Sequence, residues 1–484
     1  MGSRQVTSGN GYSFEDRAVT VAGLGVSGVS AARALAGRGA RITVVDGGDS
    51  ATHRARAAEL ESEGIAVRLN DAHSLPEGTE LVVTSPGWPP SSPLFAHAAQ
   101  AGVDVVGDVE IAWRLRGPDA PPWLAITGTN GKTTTTQMLA SILTAAGLRT
   151  AAVGNIGTPI VDVVLEGAAY DVLAVELSSY QLHWAPSLRA HSAAVLNLAP
   201  DHLDWHGSMD AYAADKGRIY EGNQVACVYN TADPATEHLV READVEEGCR
   251  AIGFTLHTPG PSQLGVVDGL LVDRAFVADR QKNAQELAEV ADVRPPAPHN
   301  IANALAAAAL ARAYGVKPAA VREGLRAFRP DAHRIEHVAD VAGVAYVDDS
   351  KATNTHAAEA SLAAYESIVW IAGGLAKGAT FDDLVATSAP RLRGVVLIGA
   401  DRALIREALA RHAPEVPVVD LDRTDTGALE SAVREAAALA GPGDTVLMAP
   451  ACASMDMFAN YNKRGEAFAD AVRELAATRA DEGH

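Results

Sequence analysis

The sequence predicts an α/β protein of three domains built on parallel sheets. Short apolar runs alternate with Ala-rich amphipathic stretches along nearly the whole chain, the pattern of repeated βαβ units. Two of the runs break into glycine-rich turns that open helices, at Gly23 to Gly28 and at Gly128 to Gly131. At 484 residues the chain is too long for one core, and its length corresponds to roughly three domains.

Residues 18–46 read as strand, turn, helix and strand. Gly23, Gly25 and Gly28 form G-x-G-x-x-G, and Asp46 ends the second strand. This is the dinucleotide fingerprint in its proper context and marks a Rossmann-like domain. The pattern admits NAD, another nucleotide diphosphate or a purely structural turn. Gly47 and Gly48 offer no side chain to grip an adenine, which favours a diphosphate other than NAD. Further αβ units follow, with strands near Val67 and at Leu81 to Thr84, and the Pro-rich 116–122 reads as a linker. Domain one is expected over 18–119.

The second domain, expected over 120–329, opens on Trp123 to Ile126, a strand that breaks into Gly128-Thr-Asn-Gly-Lys-Thr-Thr134. Bare N–H groups at such a helix start hold anions. Lys132 adds a point charge for terminal phosphates, and the Thr133 hydroxyl suits Mg²⁺. Ile126 stands where the strict phosphate-loop pattern has its first glycine, yet strand and helix lie in the right places for a P-loop ATPase-like sheet. A buried strand then delivers Glu176, an acid placed for a metal beside a phosphate loop. The next strand ends in Asp201-His-Leu-Asp-Trp-His206, which points to metal or phosphate work, and a helix from Met209 carries Lys216. Residues 256–297 read as hairpins and loops. His299 and Asn300 open an Ala-rich helix, as caps or as contacts to a base edge. The third domain, over 330–484, holds an expected hairpin ending at Tyr346-Val-Asp-Asp-Ser-Lys-Ala-Thr-Asn354, a strand and turn from Ile368 to Gly378, and further strands at Val395 to Ile398 and Thr445 to Met448, making it a second Rossmann-like α/β domain.

Composition narrows the function. The net charge of −20 argues against a nucleic-acid partner, which needs a basic surface. It also repels phosphate ligands, so local cations must overcome the mean field. Of 40 basic residues only seven are lysines (Lys132, Lys216, Lys282, Lys317, Lys351, Lys377 and Lys463), and four of these fall inside the motifs, where a compact or reactive nitrogen matters. Cys227, Cys249 and Cys452 form neither a zinc pattern nor a disulfide framework. No run approaches the ~20 apolar residues of a membrane span, and the polar residues 1–17 read as a disordered tail, not a signal peptide. A cytoplasmic monomer without membrane insertion is expected.

Taken in order, Gly128-Thr-Asn-Gly-Lys-Thr-Thr134, Glu176-Leu-Ser-Ser179, Asp201-His202-x-Asp204, Lys216-x-Arg-Ile219, His299-Asn300-x-x-Asn303, His333-Arg334-x-Glu336, Asp349-Ser-Lys-Ala-Thr-Asn354 and Ala449-Pro-Ala-Cys-Ala-Ser-Met-Asp456 resemble the Mur ligase family over roughly residues 18 to 475. They are most similar to its branch that adds D-glutamate. The resemblance implies an ATP-dependent ligase that joins D-glutamate to UDP-N-acetylmuramoyl-L-alanine through an acyl phosphate, in peptidoglycan precursor synthesis. It implies that Gly25, Val26, Ser27, Gly28 and Asp46 hold the UDP group and that Asn155 and Gln181 face the muramoyl part. Gly128, Thr129, Asn130, Gly131, Lys132, Thr133 and Thr134 would cradle ATP, with Asn300, Arg334 and Asp349 also facing it. Thr133, Glu176, His202 and Lys216 would hold Mg²⁺, two ions in all, with Lys216 carbamylated, and Lys132, His202 and Lys216 form the implied catalytic set. Lys351, Thr353, Lys377, Ser454, Met455 and Tyr461 would surround D-glutamate. The carbamate also follows from charge: an ammonium near Mg²⁺ repels it, whereas CO₂ added to a neutral amine yields a hard oxygen ligand. The chain departs from the family pattern at Gly47-Gly48, where a bulkier polar pair is common, at Leu375, where an acid is common, and at Tyr461, where Phe is common. A hinge is expected near Phe328 to Asp331.

Overall fold

The structure, a computed structural model, describes residues 12–330 and 333–482. Of the expected tail, residues 1–11 lie outside the described residues, as does Asp331 of the expected hinge. Phe14 is packed into the first core at 3% exposure.

Strands form three sheets. The first runs Ala66–Leu69, Arg41–Asp46, Ala18–Ala22, Leu81–Thr84, Asp104–Gly107 in spatial order, all parallel. Its order reverses between Ala18–Ala22 and Leu81–Thr84, where open α/β sheets bind ligands beyond the carboxyl ends of their strands. Gly28 lets the first helix, Val26–Ala36, approach closely: a Cβ there would stand 2.0 Å from Gly23 O.

The second sheet runs Gln285–Glu289, Leu270–Asp273, Gln263–Val267, Arg250–Phe254, Ala226–Asn230, Ser192–Val195, Trp123–Thr127, Val172–Glu176, Thr150–Gly154. The last seven are parallel; the first two are antiparallel to their neighbours. Residues 256–297 thus contribute three strands to the central sheet, and Asp268-Gly269, both at positive φ, make the tight turn between two of them. The helix Pro298–Ala313 is so rich in alanine that other elements pack against it on all sides, and Ala304 to Ala311 are wholly buried. These two sheets lie in one compact unit, running to Pro296 and from Asn300 to Phe328, and share a core of Val, Leu and Ala.

The other unit comprises Ala297–His299 and the chain from Arg329 on. Its sheet runs Glu336–Val341, Val344–Asp348, Thr445–Met448, Ile368–Gly373, Leu392–Ile398, Val418–Asp420. The first pair is the expected hairpin, closed by Ala342-Gly343, and the remaining strands are parallel. Among the described residues no helix is long and apolar enough to cross a membrane.

Candidate active site

In the larger unit the central strand Trp123–Thr127 is buried throughout, as expected of a parallel strand covered on both faces. The chain leaves it through Gly128 at φ +155° and Gly131 at φ +84°, conformations that side chains resist. Gly131 also lacks room, since a Cβ would stand 2.4 Å from Asn303 Oδ1. The Asn197 side chain brackets the turn, accepting from Asn130 N–H at 2.8 Å and donating to Asn130 O at 3.1 Å. Thr129 N–H donates to Asn197 O at 3.0 Å, and its hydroxyl meets Tyr212 OH at 2.9 Å. The turn is therefore preformed, with the amino terminus of Lys132–Ala145 at its mouth. Lys132 Nζ donates to Gly128 O and Thr129 O, each at 2.9 Å, which keeps its charge on the loop. Thr135 and Thr136 return their hydroxyls to carbonyls one turn back, whereas Thr133 stands half-buried at the mouth and Thr134 just inside it.

Beside the turn lies Glu176, 1% exposed at the end of its strand. Its Oε1 accepts from Asn155 Nδ2 at 2.9 Å, while its Oε2 is buried without a hydrogen-bond partner. A buried carboxylate oxygen left open is the donor a hard cation takes, so the residues fit Mg²⁺. Gly154 makes this approach possible, for a Cβ there would stand 2.1 Å from Glu176 O. Lys216 is 2% exposed; its Nζ donates to Gly128 O at 3.0 Å and Thr127 Oγ1 at 3.4 Å, and it lies over the Tyr212 ring. Burial, then the charge of Lys132, holds its pKa well below that of an ordinary lysine. Such an amine is available in its neutral form. Among the described residues no salt bridge joins Lys216 to the adjacent Asp215. Asp215 is engaged by His183 Nδ1 and His206 Nδ1, each at 2.9 Å, and by Arg218 Nε at 3.2 Å.

The motif from Asp201 to His206 splits in two. His206 points inward, its Nε2 3.0 Å from Ser179 Oγ. His202 sits at φ +53°, partly exposed, and burial holds its ring below the usual histidine range against the pull of Asp201. A neutral imidazole is the form that ligates metal. Gln181 forms a capping box with Ser178, with its Oε1 accepting from Ser178 N–H at 3.0 Å. Asn300 Nδ2 donates to Pro295 O at 3.3 Å. In the first sheet, Gly25 and Val26 are exposed at the turn, Ser27 is half-buried, and Asp46 accepts from Leu24 N–H and Gly48 N–H, each at 2.7 Å.

In the smaller unit, Asp349 is buried and its pKa is pushed up to about 6 by that burial, against the Ser361 hydroxyl and the nearby Arg334 charge. Lys351 Nζ stands 3.9 Å from the centre of the Tyr461 ring, a cation–π contact. Leu375 and Ala453 exchange backbone hydrogen bonds of 2.9 Å, so the turn bearing Lys377 lies beside the loop bearing Ser454 and Met455. Thr353 N–H donates to Lys351 O at 2.8 Å. Arg464, which the sequence did not single out, locks these loops together: wholly buried, it donates to Ser350 Oγ at 3.0 Å, Ser350 O at 2.9 Å and Cys452 O at 3.0 Å. Its partners are mainly carbonyls, which carry no sequence signal. Asn197 was also missed, although an asparagine just past a buried strand beside a phosphate loop is a recognisable cue.

The chain matches the family models of the Mur ligase MurD-like N-terminal domain over residues 17–107, the Mur ligase middle domain over 126–311 and the Mur ligase glutamate ligase domain over 333–452. It is 80% identical to the UDP-N-acetylmuramoylalanine–D-glutamate ligase of Streptomyces avermitilis, over 96% of this chain and 99% of that protein. The proteins of the same name from Streptomyces coelicolor and Mycolicibacterium smegmatis are 79% and 47% identical, over 96% and 94% of this chain and 99% and 96% of theirs. The fold is that of the UDP-N-acetylmuramate–alanine ligase of Thermotoga maritima, with a TM-score of 0.55 and 17% identity over 95% of this chain and 99% of that one. It is equally that of the MurF ligase of the same organism in complex with ADP, with a TM-score of 0.57 and 16% identity over 96% of each. With three such domains in order and relatives this similar over almost the whole length, the chain belongs to the Mur ligase family.

Proposed function

We propose that this chain is the ligase that joins D-glutamate to UDP-N-acetylmuramoyl-L-alanine at the expense of ATP, in peptidoglycan precursor synthesis. Relatives 80% and 79% identical over 96% of the chain bear that activity in their names, and this observation carries the assignment. The γ-phosphoryl group of ATP passes to the terminal carboxylate of the UDP substrate, giving an acyl phosphate and ADP. The D-glutamate amine then attacks the acyl carbon, the amide forms, and inorganic phosphate leaves.

All three substrates are anions in a chain of net charge −20, so the protein's work is positioning and neutralisation. The glycine turn, Lys132, Thr133 and Thr134 hold the phosphates, and Asn300, Arg334 and Asp349 complete the nucleotide contacts. Glu176, His202, Thr133 and a carbamylated Lys216 hold Mg²⁺, two ions, which supply positive charge to the phosphate oxygens when bound. The buried open oxygen of Glu176 and the buried, easily neutralised amine of Lys216 support this set. Lys351, Lys377 and the Ser454 hydroxyl match the two carboxylates of D-glutamate, with Thr353, Met455 and Tyr461 around them. Gly25, Val26, Ser27, Gly28 and Asp46 take the UDP group, while Asn155 and Gln181 face the muramoyl part. The enzyme is read as a cytoplasmic monomer. Phosphate release in the presence of ATP and Mg²⁺ tests the reading: it should require both UDP-N-acetylmuramoyl-L-alanine and D-glutamate, and release with either alone would contradict it.

A further inference from the structure

Asp46 ends its strand where the dinucleotide rule places a carboxylate for a ribose hydroxyl. Two backbone amides already engage it: Leu24 N–H donates to Oδ2 and Gly48 N–H to Oδ1. The carboxylate thus lashes the glycine turn to the turn after its own strand, and keeps lone pairs for a further donor. Gly47 and Gly48 have no side chain with which to add a contact.

The reason for Gly48 is spatial. A Cβ there would stand 2.5 Å from Nε2, 2.7 Å from Cε1 and 2.8 Å from Cδ2 of His53, so the far end of the imidazole fills the space a side chain would take. His53 is the third residue of the helix Ala51–Ser62, and the capping Ser50 holds its ring. His53 N–H donates to Ser50 Oγ at 3.4 Å, and Ser50 Oγ lies 2.6 Å from Nδ1. With the Ser50 proton given to Nδ1, a neutral ring carries its own proton on Nε2.

Nε2 stands 3.6 Å from Asp46 Oδ1, beyond a direct hydrogen bond. A hydroxyl donates one hydrogen bond and accepts another, so this N–H and this carboxylate suit one hydroxyl held between them. The ring is about a third exposed (35%), which leaves it an open side. Arg56, three residues on and so on the same helix face, donates from Nη1 to Leu24 O at 2.9 Å. That places a cation on the glycine turn.

We propose that His53 is the ribose-binding residue that replaces the side chains absent at Gly47 and Gly48. A ribose hydroxyl of the uridine diphosphate group donates to Asp46 and accepts from His53 Nε2–H, and Arg56 faces the diphosphate. This rests on the reading that the first sheet takes the UDP group.

Calorimetric titration of the full chain with UDP, 2′-deoxy-UDP and 3′-deoxy-UDP tests it. Wild type should bind UDP roughly five- to tenfold more tightly than one of the deoxy analogues, the effect of one hydrogen bond. His53→Ala should lose about that factor for UDP and narrow, without abolishing, the preference over that deoxy analogue, because Asp46 still accepts from the hydroxyl. Gly48→Ala, which keeps the imidazole but displaces it, should reproduce the loss. The KM values for ATP and D-glutamate should stay put in both variants. Wild-type affinity and wild-type ribose discrimination in both would overturn the assignment. Gly25→Asp separates this from the underlying reading: Gly25 has φ −74° and nothing within 4 Å of a Cβ position, so the variant folds but sets a carboxylate against the diphosphate. If Gly25→Asp leaves UDP affinity unchanged, the first sheet is not the UDP site. If Gly25→Asp loses affinity while His53→Ala does not, only the role of His53 is removed.

Discussion

Replacing Lys216 with arginine should abolish turnover, although it preserves a positive charge. Lys216 Nζ and Lys132 Nζ donate to the same carbonyl, Gly128 O, at 3.0 and 2.9 Å, so the nitrogens are no further apart than the sum of those distances. At about 6 Å two ammonium charges repel by about 3 kcal/mol at an effective dielectric of about 20. Burial and the Lys132 charge already favour the neutral amine of Lys216, the form that adds CO₂. A carbamate reverses the sign of its interaction with Lys132, so arginine differs from carbamate by roughly 6 kcal/mol on the same reckoning. Losing even half of that in the transition state lowers kcat/KM by about a hundredfold. The assay pairs phosphate release with ¹³C spectroscopy of protein equilibrated with ¹³CO₂. A carbamate resonance should appear in wild type and vanish in Lys216→Arg together with activity. An active arginine variant, or an active wild type without that resonance, refutes the reasoning.

Lys377→Ala should raise the KM for D-glutamate by about tenfold or more while leaving that for ATP nearly intact, since Lys377 is exposed and a hydrogen bond to a charged group contributes roughly 1.5–3 kcal/mol; steady-state kinetics with equal losses for both substrates would count against the pocket. Glu176→Gln keeps an acceptor for Asn155 but removes the buried charge, so Mg²⁺ should raise the melting temperature of wild type and not of the variant; equal shifts would dismiss Glu176 as a ligand. Asp349 holds its proton more tightly folded, with a pKa of about 6, than its ordinary 3.8, so its own contribution to stability is full below 3.8 and is lost as pH rises through 6. The loss is about 3 kcal/mol. Urea melts from about pH 4 to about pH 7 should show that slope in wild type and a flatter one in Asp349→Asn, and parallel slopes would refute it.

The phosphate loop was legible because its chemistry needs bare backbone and one lysine, which few residue types satisfy. Ile126, which stands where the strict pattern has its first glycine, lies inside the strand, paired with Glu176 and Ala194, and not in the turn. The hairpin at Ala342-Gly343 and the turn at Asp268-Gly269 could be read from local conformational demands. That residues 256–297 extend the central sheet could not, because the edge a hairpin joins is decided by tertiary packing. Nor could the partners of Asp215 be read from its place beside Lys216, for His183, 32 residues away, and His206, nine away, hold it. The glycine pair at 47–48 offers no side chain to a ligand, and only the structure shows that the His53 ring fills the space beside Gly48.

The most direct test of the central assignment is a panel of amino acids offered to the enzyme with UDP-N-acetylmuramoyl-L-alanine, ATP and Mg²⁺, with the product mass and phosphate release measured together. D-glutamate alone should add one residue's mass to the UDP substrate, with one phosphate released per amide formed. Preferential addition of L-alanine, a diamino acid or L-glutamate, or phosphate release without a new amide, would contradict it.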